Sequence, residues 1–453
     1  MTGGAGTQSK VEGFYMTLAV QTPTSNGTRT QQQAEKVDAT PEETKLTSGT
    51  LYLVDNAGKV VFKKTITADE WTKAAPVTPT TGKTEIQVPV QNVTEGTTYM
   101  VYFLANTTND APWTDTAILS TPTGFAGDYA KDGQFAMFNQ NDNKSRANQY
   151  TVKFETANKE IATPASLNNP IKLDRITARI DQPTSVVSIN GAVPENATAL
   201  QKKAIADAVA KVKSITLTNY AITNLSNKAY IMQHWANEWA TLQIPGDITY
   251  SQKATELGGK HDINTENAEK WFGMVGKNYV FENTEGTPTT MYFEYTVALD
   301  ETKFSDTPDC TDGTFYRYNG NIYRSIDAIY AAYKDQPVLF GGKTKDDLKA
   351  ELKITAEGKI GAPEAELAAF RQNYVIEVFR AGKTYFSQVI TDNWLKTNTI
   401  QRNTVYRLNV KNIFNVGADV PNGDPVDNKP MYYLDVEVSV NPWVLSTQDV
   451  ELK

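Results

Sequence analysis

Leu434-Asp435-Val436-Glu437-Val438-Ser439-Val440 alternates apolar and polar residues without a break. A period of two places Leu434, Val436, Val438 and Val440 on one face of a strand and the polar residues on the other. Asn441-Pro442 interrupts the alternation, and Trp443, Leu445, Val450 and Leu452 follow. Upstream stand Pro421, Asn422, Gly423, Asp424, Pro425 and Asp427, the composition of a linker. A patterned strand hung beyond a linker needs a groove to fill, and residues 431–453 are expected to contribute little to the fold of their own chain.

The pattern recurs near the other end. Phe14, Met16, Leu18 and Val20 point one way, Tyr15, Thr17, Ala19 and Gln21 the other, and Pro23 ends the run. Thr24 to Ser48 holds almost nothing apolar and reads as a long exposed loop. A groove built for one of these strands accepts the other. Burying four such side chains is worth roughly 6–12 kcal/mol gross, at about 1.5–3 kcal/mol each.

Between the two ends the chain reads as all-β with minor helices. Leu51-Tyr52-Leu53-Val54, a turn at Asp55-Asn56-Ala57-Gly58 and Val60-Val61-Phe62 predict a hairpin. Ile86, Val88 and Val90 alternate as a strand, as do Tyr150, Val152 and Phe154. Tyr99 to Leu104 is a continuous apolar run, expected of a strand covered on both faces. Asn168-Asn169-Pro170 marks a boundary. Beyond it Ile171, Leu173, Ile176, Ala178 and Ile180 begin a second series, continued by 186–189, 215–222, 374–379, 385–390 and 405–410. Thr198 and Gln201 fit a capping box ahead of Ile205, Val209 and Val212 at helical spacing, and Ile322, Ile326, Ile329 and Tyr333 form a second stripe before Pro337. The expectation is two β-sandwich domains, 1–168 and 169–430, followed by the strand segment 431–453.

Composition excludes several classes. A net charge of −8, with ten arginines against 34 lysines, argues against nucleic acid, which needs a basic stripe rich in planar guanidinium forks. Cys310 is the single cysteine, so neither an intrachain disulfide nor a thiolate metal site can form. No run approaches the ~20 apolar residues that span a bilayer. Met1-Thr2-Gly3-Gly4 opens without a basic or apolar leader, so the chain is either not exported or has lost its targeting segment.

The motif search for catalysis fails. Gly-Lys-Thr occurs at Gly82, Gly342 and Gly382, but a phosphate-binding loop needs glycine five residues earlier, where Val77, Pro337 and Glu377 stand. His234 and His261 have no ligand or triad spacing around them. Glu42-Glu43 and Asp346-Asp347 read as solvated faces, not a carboxylate dyad. No enzyme, cofactor or metal is expected. Asp115-Thr116-Ala117 resembles the Asp-Thr-small acceptor of O-glycosylation in Bacteroidota, which makes Thr116 a modification candidate.

Three segments resemble the Bacteroidia fimbrillins, the type V pilins, and most closely their minor or short branch. Pro170-Ile171-Lys172-Leu173-Asp174-Arg175-Ile176-Thr177-Ala178-Arg179-Ile180 is similar to the family's first strand of the C-terminal domain. Gln401-Arg402-Asn403-Thr404-Val405-Tyr406 resembles its Arg-Asn-x-x-Tyr strand, followed by Ile413 and Gly417. The ending Val436-Glu437-Val438-Ser439-Val440-Asn441-Pro442-Trp443 resembles its closing strand.

The resemblance implies two transthyretin-like β-sandwiches in a lipoprotein precursor that crosses the outer membrane to a cell-surface fimbria. The family's lipobox cysteine has no counterpart here, so a processed or shortened form is expected. An Arg-specific maturation protease would cut the loop 24–48 and release the first strand, about 10–23. The C-terminal strand of a neighbour, through Leu434, Val436, Val438, Val440, Trp443 and Leu445, would fill the groove left by Phe14, Met16, Leu18 and Val20. Implied partners are further copies of the chain, accessory tip and anchor fimbrillins, the protease and unidentified surface receptors. The implied roles are adhesion, biofilm formation and virulence. Arg29 is the only arginine before Arg146 and stands in the polar loop, so Arg29-Thr30 is the expected scissile bond. Two rival readings are a non-polymerising glycan-binding surface lipoprotein, for which Trp113, Trp235 and Trp239 are the only platform candidates, and a β-rich glycoside hydrolase.

Overall fold

A computed structural model describes residues 13–22, 37–74, 76–78, 83–107, 116–141, 148–190, 192–193, 195–236, 241–253, 257, 270–274, 276–392, 395–421 and 434–445. The fold is β-rich with few helices, as the sequence indicates.

The first strand, Phe14–Gln21, lies inside a sheet. It runs antiparallel to Lys83–Val90 along its full length, and its other edge runs parallel to Ala165–Ser166 and Ile171–Arg175. Strand 171–175 then pairs with Met137–Asn139, and the order continues through Thr98–Ala105 and Gly49–Val54 to Val60–Ile66. Phe14, Met16, Leu18 and Val20 share one core with Leu51, Leu53, Val101 and Phe103. The 49–66 hairpin closes where expected. Gly58 takes φ 79°, and the Asp55 carboxylate accepts from the Ala57 and Lys59 amides.

A second sheet orders Val37–Ala39, Leu434–Leu445, Thr404–Ile413, Ala178–Asp181 and Lys277–Val280. Facing it are Val212–Thr223, Thr290–Leu299 and Lys383–Val389. Tyr406, Leu408 and Val410 meet Ile215, Tyr220, Phe293 and Tyr295 in the core between them. Between strands 290–299 and 383–389 the chain builds a lobe with helices Ile326–Ala332, Lys345–Leu352 and Glu364–Tyr374 around Tyr316, Ile329, Phe340, Leu348 and Phe370. A further cluster joins the halves: Tyr102, Leu104 and Phe138 pack with Ile231, Met232 and Phe281.

Several local expectations change. Ile171 and Leu173 belong to the first core, so the chain crosses to the second sheet between Arg175 and Ala178, one strand later than the 168/169 boundary. Helix Ala199–Lys211 is capped by Thr198 and Gln201 as read, but it buries Ala204, Ile205 and Ala208. Val209 is 41% exposed, and Val212 opens the next strand, because the helix ends at Lys211. Ile322 lies in a short strand, Asn321–Tyr323. Tyr374 ends a helix instead of starting a strand, since Val375 turns the backbone left-handed at φ 54°. Val187 is exposed outside any strand. Within the loop read as exposed, Val37–Ala39 is a strand and Pro41–Thr44 a helical turn.

Candidate functional site

The first strand fills a slot in mid-sheet. Its inward side chains are buried, Met16, Leu18 and Val20 completely. Its removal would strip one edge of strand 83–90 and one edge of strand 171–175 together. Alternation made this strand legible: each second residue is apolar, and one register alone buries all four.

The tail strand, Leu434–Leu445, lies along its own chain. It pairs antiparallel with strand 404–413 from Ile413↔Leu434 to Thr404↔Pro442. This differs from a tail standing apart from its own fold. Without it, the edge of strand 404–413 would be open, and covering an open edge is favourable whichever strand supplies the cover. Beyond it, Val37–Ala39 runs parallel to Trp443–Leu445. The two strands that flank residues 22–36 in sequence thus lie apart: 14–21 in mid-sheet, 37–39 along the tail strand.

Immediately after strand 37–39 the chain is pinned by Glu43, which is only 1% exposed. Thr40-Pro41-Glu42-Glu43 forms a capping box in which the Thr40 amide donates to Glu43 Oε2 at 2.9 Å. Glu43 Oε1 accepts from Arg179 Nη1 at 3.0 Å, Lys277 Nζ at 3.0 Å and the Tyr279 hydroxyl at 3.2 Å. Arg175 Nε donates to the Glu43 carbonyl at 2.8 Å. Burial, followed by the neighbouring Glu43 carboxylate, pushes the Tyr279 hydroxyl well up, which keeps it a donor. Burial lowers the Arg175 guanidinium to about 9, opposed by Glu43, so it remains a cation at neutral pH. Glu43 is thus a buried ion-pair centre, not a solvated face. The Thr-x-x-Glu spacing was the available signal for the turn, while its burial depends on residues far along the chain.

The segments that carried the resemblance converge beside this centre. Arg175 Nη1 donates to Asn403 Oδ1 at 2.9 Å. Arg402 Nη2 pairs with Glu282 Oε2 at 2.9 Å, both fully buried, and Arg402 also donates to the carbonyls of Ile231 and Tyr230. The Tyr406 hydroxyl donates to Asp392 at 3.0 Å and accepts from the Gln401 amide at 2.7 Å. The Arg175–Asn403 bond joins the two halves of the molecule, and the Arg402 and Tyr406 contacts fix that segment within the second half.

Arg29 and Thr30 lie outside the described residues, as do Asp115, Trp113, Trp239 and His261. Thr116 is exposed in a turn. Trp235 is 1% exposed, its indole donating to Gln233, so it forms no glycan platform. His234 is buried and stacks on Tyr230 at 4.0 Å. Asp347 caps its own helix through Thr344. Among the described residues no group of three His, Cys, Asp or Glu could hold a metal, and no helix is long and apolar enough to cross a membrane.

Residues 377–449 match the family described as the major fimbrial subunit protein type IV, fimbrillin, C-terminal. The match contains strand 404–413, the Arg-Asn-x-x-Tyr segment and the tail strand. Among solved structures the chain is similar to a candidate cell adhesion protein of Parabacteroides distasonis, at 13% identity over 96% of this chain and 99% of that one, with a TM-score of 0.46. It is also similar to a fimbrilin of Porphyromonas gingivalis, at 15% identity over 96% and 98%, with a TM-score of 0.44. No curated sequence relative matches.

Proposed function

We propose that this chain is a structural fimbrial subunit of the shaft, a reading supported by the match of residues 377–449 to the fimbrillin C-terminal family. It polymerises at the cell surface by donor-strand exchange after one cut at Arg29-Thr30, and it supports adhesion and biofilm formation without catalysis. The supporting observation is the position of strand 14–21, an interior strand with four buried anchors followed in sequence by the first arginine of the chain. Cutting there would leave that strand held by pairing and side-chain burial without its covalent link to the rest of the chain, and its loss would open a groove with two strand edges.

The occupant is the tail of another copy. Leu434, Val436, Val438 and Val440 repeat the spacing of Phe14, Met16, Leu18 and Val20. To act in trans, the tail must leave strand 404–413 of its own subunit, so assembly exchanges one antiparallel pairing for another. Export as a lipoprotein precursor and company with tip and anchor subunits belong to the same reading.

Electron microscopy after treatment with an Arg-specific protease tests it. The cut protein should form filaments, and Arg29→Ala should stay a folded monomer under the same treatment. Filaments from Arg29→Ala, or none from the cut native chain, would overturn the reading.

A further inference from the structure

We propose that the short strand Val37–Ala39 is a latch that keeps the tail strand on its own subunit until the chain is cut upstream. This rests on the strand-exchange reading above. One proteolytic event would then do two things: empty the acceptor slot and loosen the donor.

The juxtaposition is explicit in the sheet order. The tail strand is paired with strand 404–413 on one edge, and on the other edge, among the described residues, it is covered only at Trp443–Leu445, by Val37–Ala39. A paired strand peels from an end, and the cover sits on one end. Ala39 anchors the latch, packed among Ala130, Phe135 and Val405. Val405 is itself paired with Asn441 of the tail strand.

The latch is tethered on both sides in the intact chain. Downstream it runs into the Pro41–Thr44 turn and the buried Glu43 centre. Upstream, residues 22–36 connect it to strand 14–21, which is fixed in mid-sheet. A cut at Arg29 removes the upstream tether and turns the latch into part of a chain terminus. Three residues of parallel pairing are weak, and terminal pairings fray first. Glu43 would still hold the chain behind the latch, so the freed segment loosens without leaving the subunit.

The tail's amide hydrogen exchange reads the latch directly, before any filament forms. Monomer isolated by size exclusion straight after cutting should exchange amides 434–445 roughly tenfold faster than uncut protein, a local opening of low free energy. Unchanged protection of 434–445 in that cut monomer would overturn the latch. A crosslink gives the second test. Asp38 and Val444 are register partners, and neighbouring strands lie about 4.8 Å apart, within disulfide reach. The double variant Asp38→Cys, Val444→Cys, oxidised and then cut, should remain monomeric until reductant is added. Filaments growing at the native rate without reductant would overturn the latch. A native chain that is cut and never assembles would instead overturn the exchange reading, while the amide measurement still decides the latch.

Discussion

Arg402 and Arg407 stand five residues apart on the same stretch of chain and belong to different physical regimes. Arg402 is fully buried against Glu282, whereas Arg407 reaches Asp181 at 2.9 Å with its side chain 48% exposed. Removing one partner of a buried pair strands the other charge in a dry site, so Arg402→Ala should cost about 3–5 kcal/mol. Arg407→Ala should cost less than about 1 kcal/mol, because water already screens that pair. Urea denaturation of both variants checks the contrast, and equal losses would contradict the burial of Arg402. Cys310 gives a second residue-scale test. Burial, with Asp312 and Asp309 nearby, pushes its thiol up to about 12. A raised thiol pKa means almost no thiolate at pH 8. A disulfide reagent should therefore label the native chain far more slowly than the urea-unfolded one, and equal rates would contradict the buried placement.

At the scale of elements, legibility followed locality. Strand 14–21, the 49–66 hairpin and strand 404–413 each carry their own period or turn chemistry, and each forms where the sequence places it. Helix 199–211 was legible by its cap, and its buried face only at Ile205. Ala204 and Ala208 face the core beside it, whereas a hydrophobicity stripe favours Val209 and Val212. Glu43 was unreadable for a deeper reason: its partners Arg179 and Lys277 are more than a hundred residues away. The strand over the tail, 37–39, is too short to show a period at all. Strand 14–21 supplies the element-scale prediction. Leu18→Ala removes a fully buried side chain and should destabilise the uncut protein by about 2–5 kcal/mol. The same loss weakens the hold on the strand once Arg29 is cut, so Leu18→Ala should release it faster than the native chain does. Mass spectrometry of the cut protein over time measures that release, and slower release would contradict the slot geometry.

For the molecule as a whole, the tail decides between two thermodynamic pictures. A tail free of its own subunit could be deleted without effect on melting. Here it covers the edge of strand 404–413, so deleting residues 431–453 should lower the melting temperature measurably. Unfolding should not follow. Tyr406, Leu408 and Val410 remain packed on Ile215, Tyr220 and Phe293 across the sandwich, and strand 178–181 still pairs with the other edge of strand 404–413. The truncated chain, cut at Arg29, should then open its slot but have nothing to offer a neighbour. It should stay monomeric and bind a synthetic 431–453 peptide at two sites, the opened slot and the bared edge of strand 404–413, measurable by calorimetry. The uncut truncated chain, its slot still filled by strand 14–21, should bind that peptide only along the edge of strand 404–413. Competition with a peptide of residues 10–23 separates the two sites, since only the opened slot accepts both. Filaments from the truncated chain would remove the tail from assembly altogether. A truncated chain that cannot fold would make the tail a closing strand of its own domain and leave the slot without a donor.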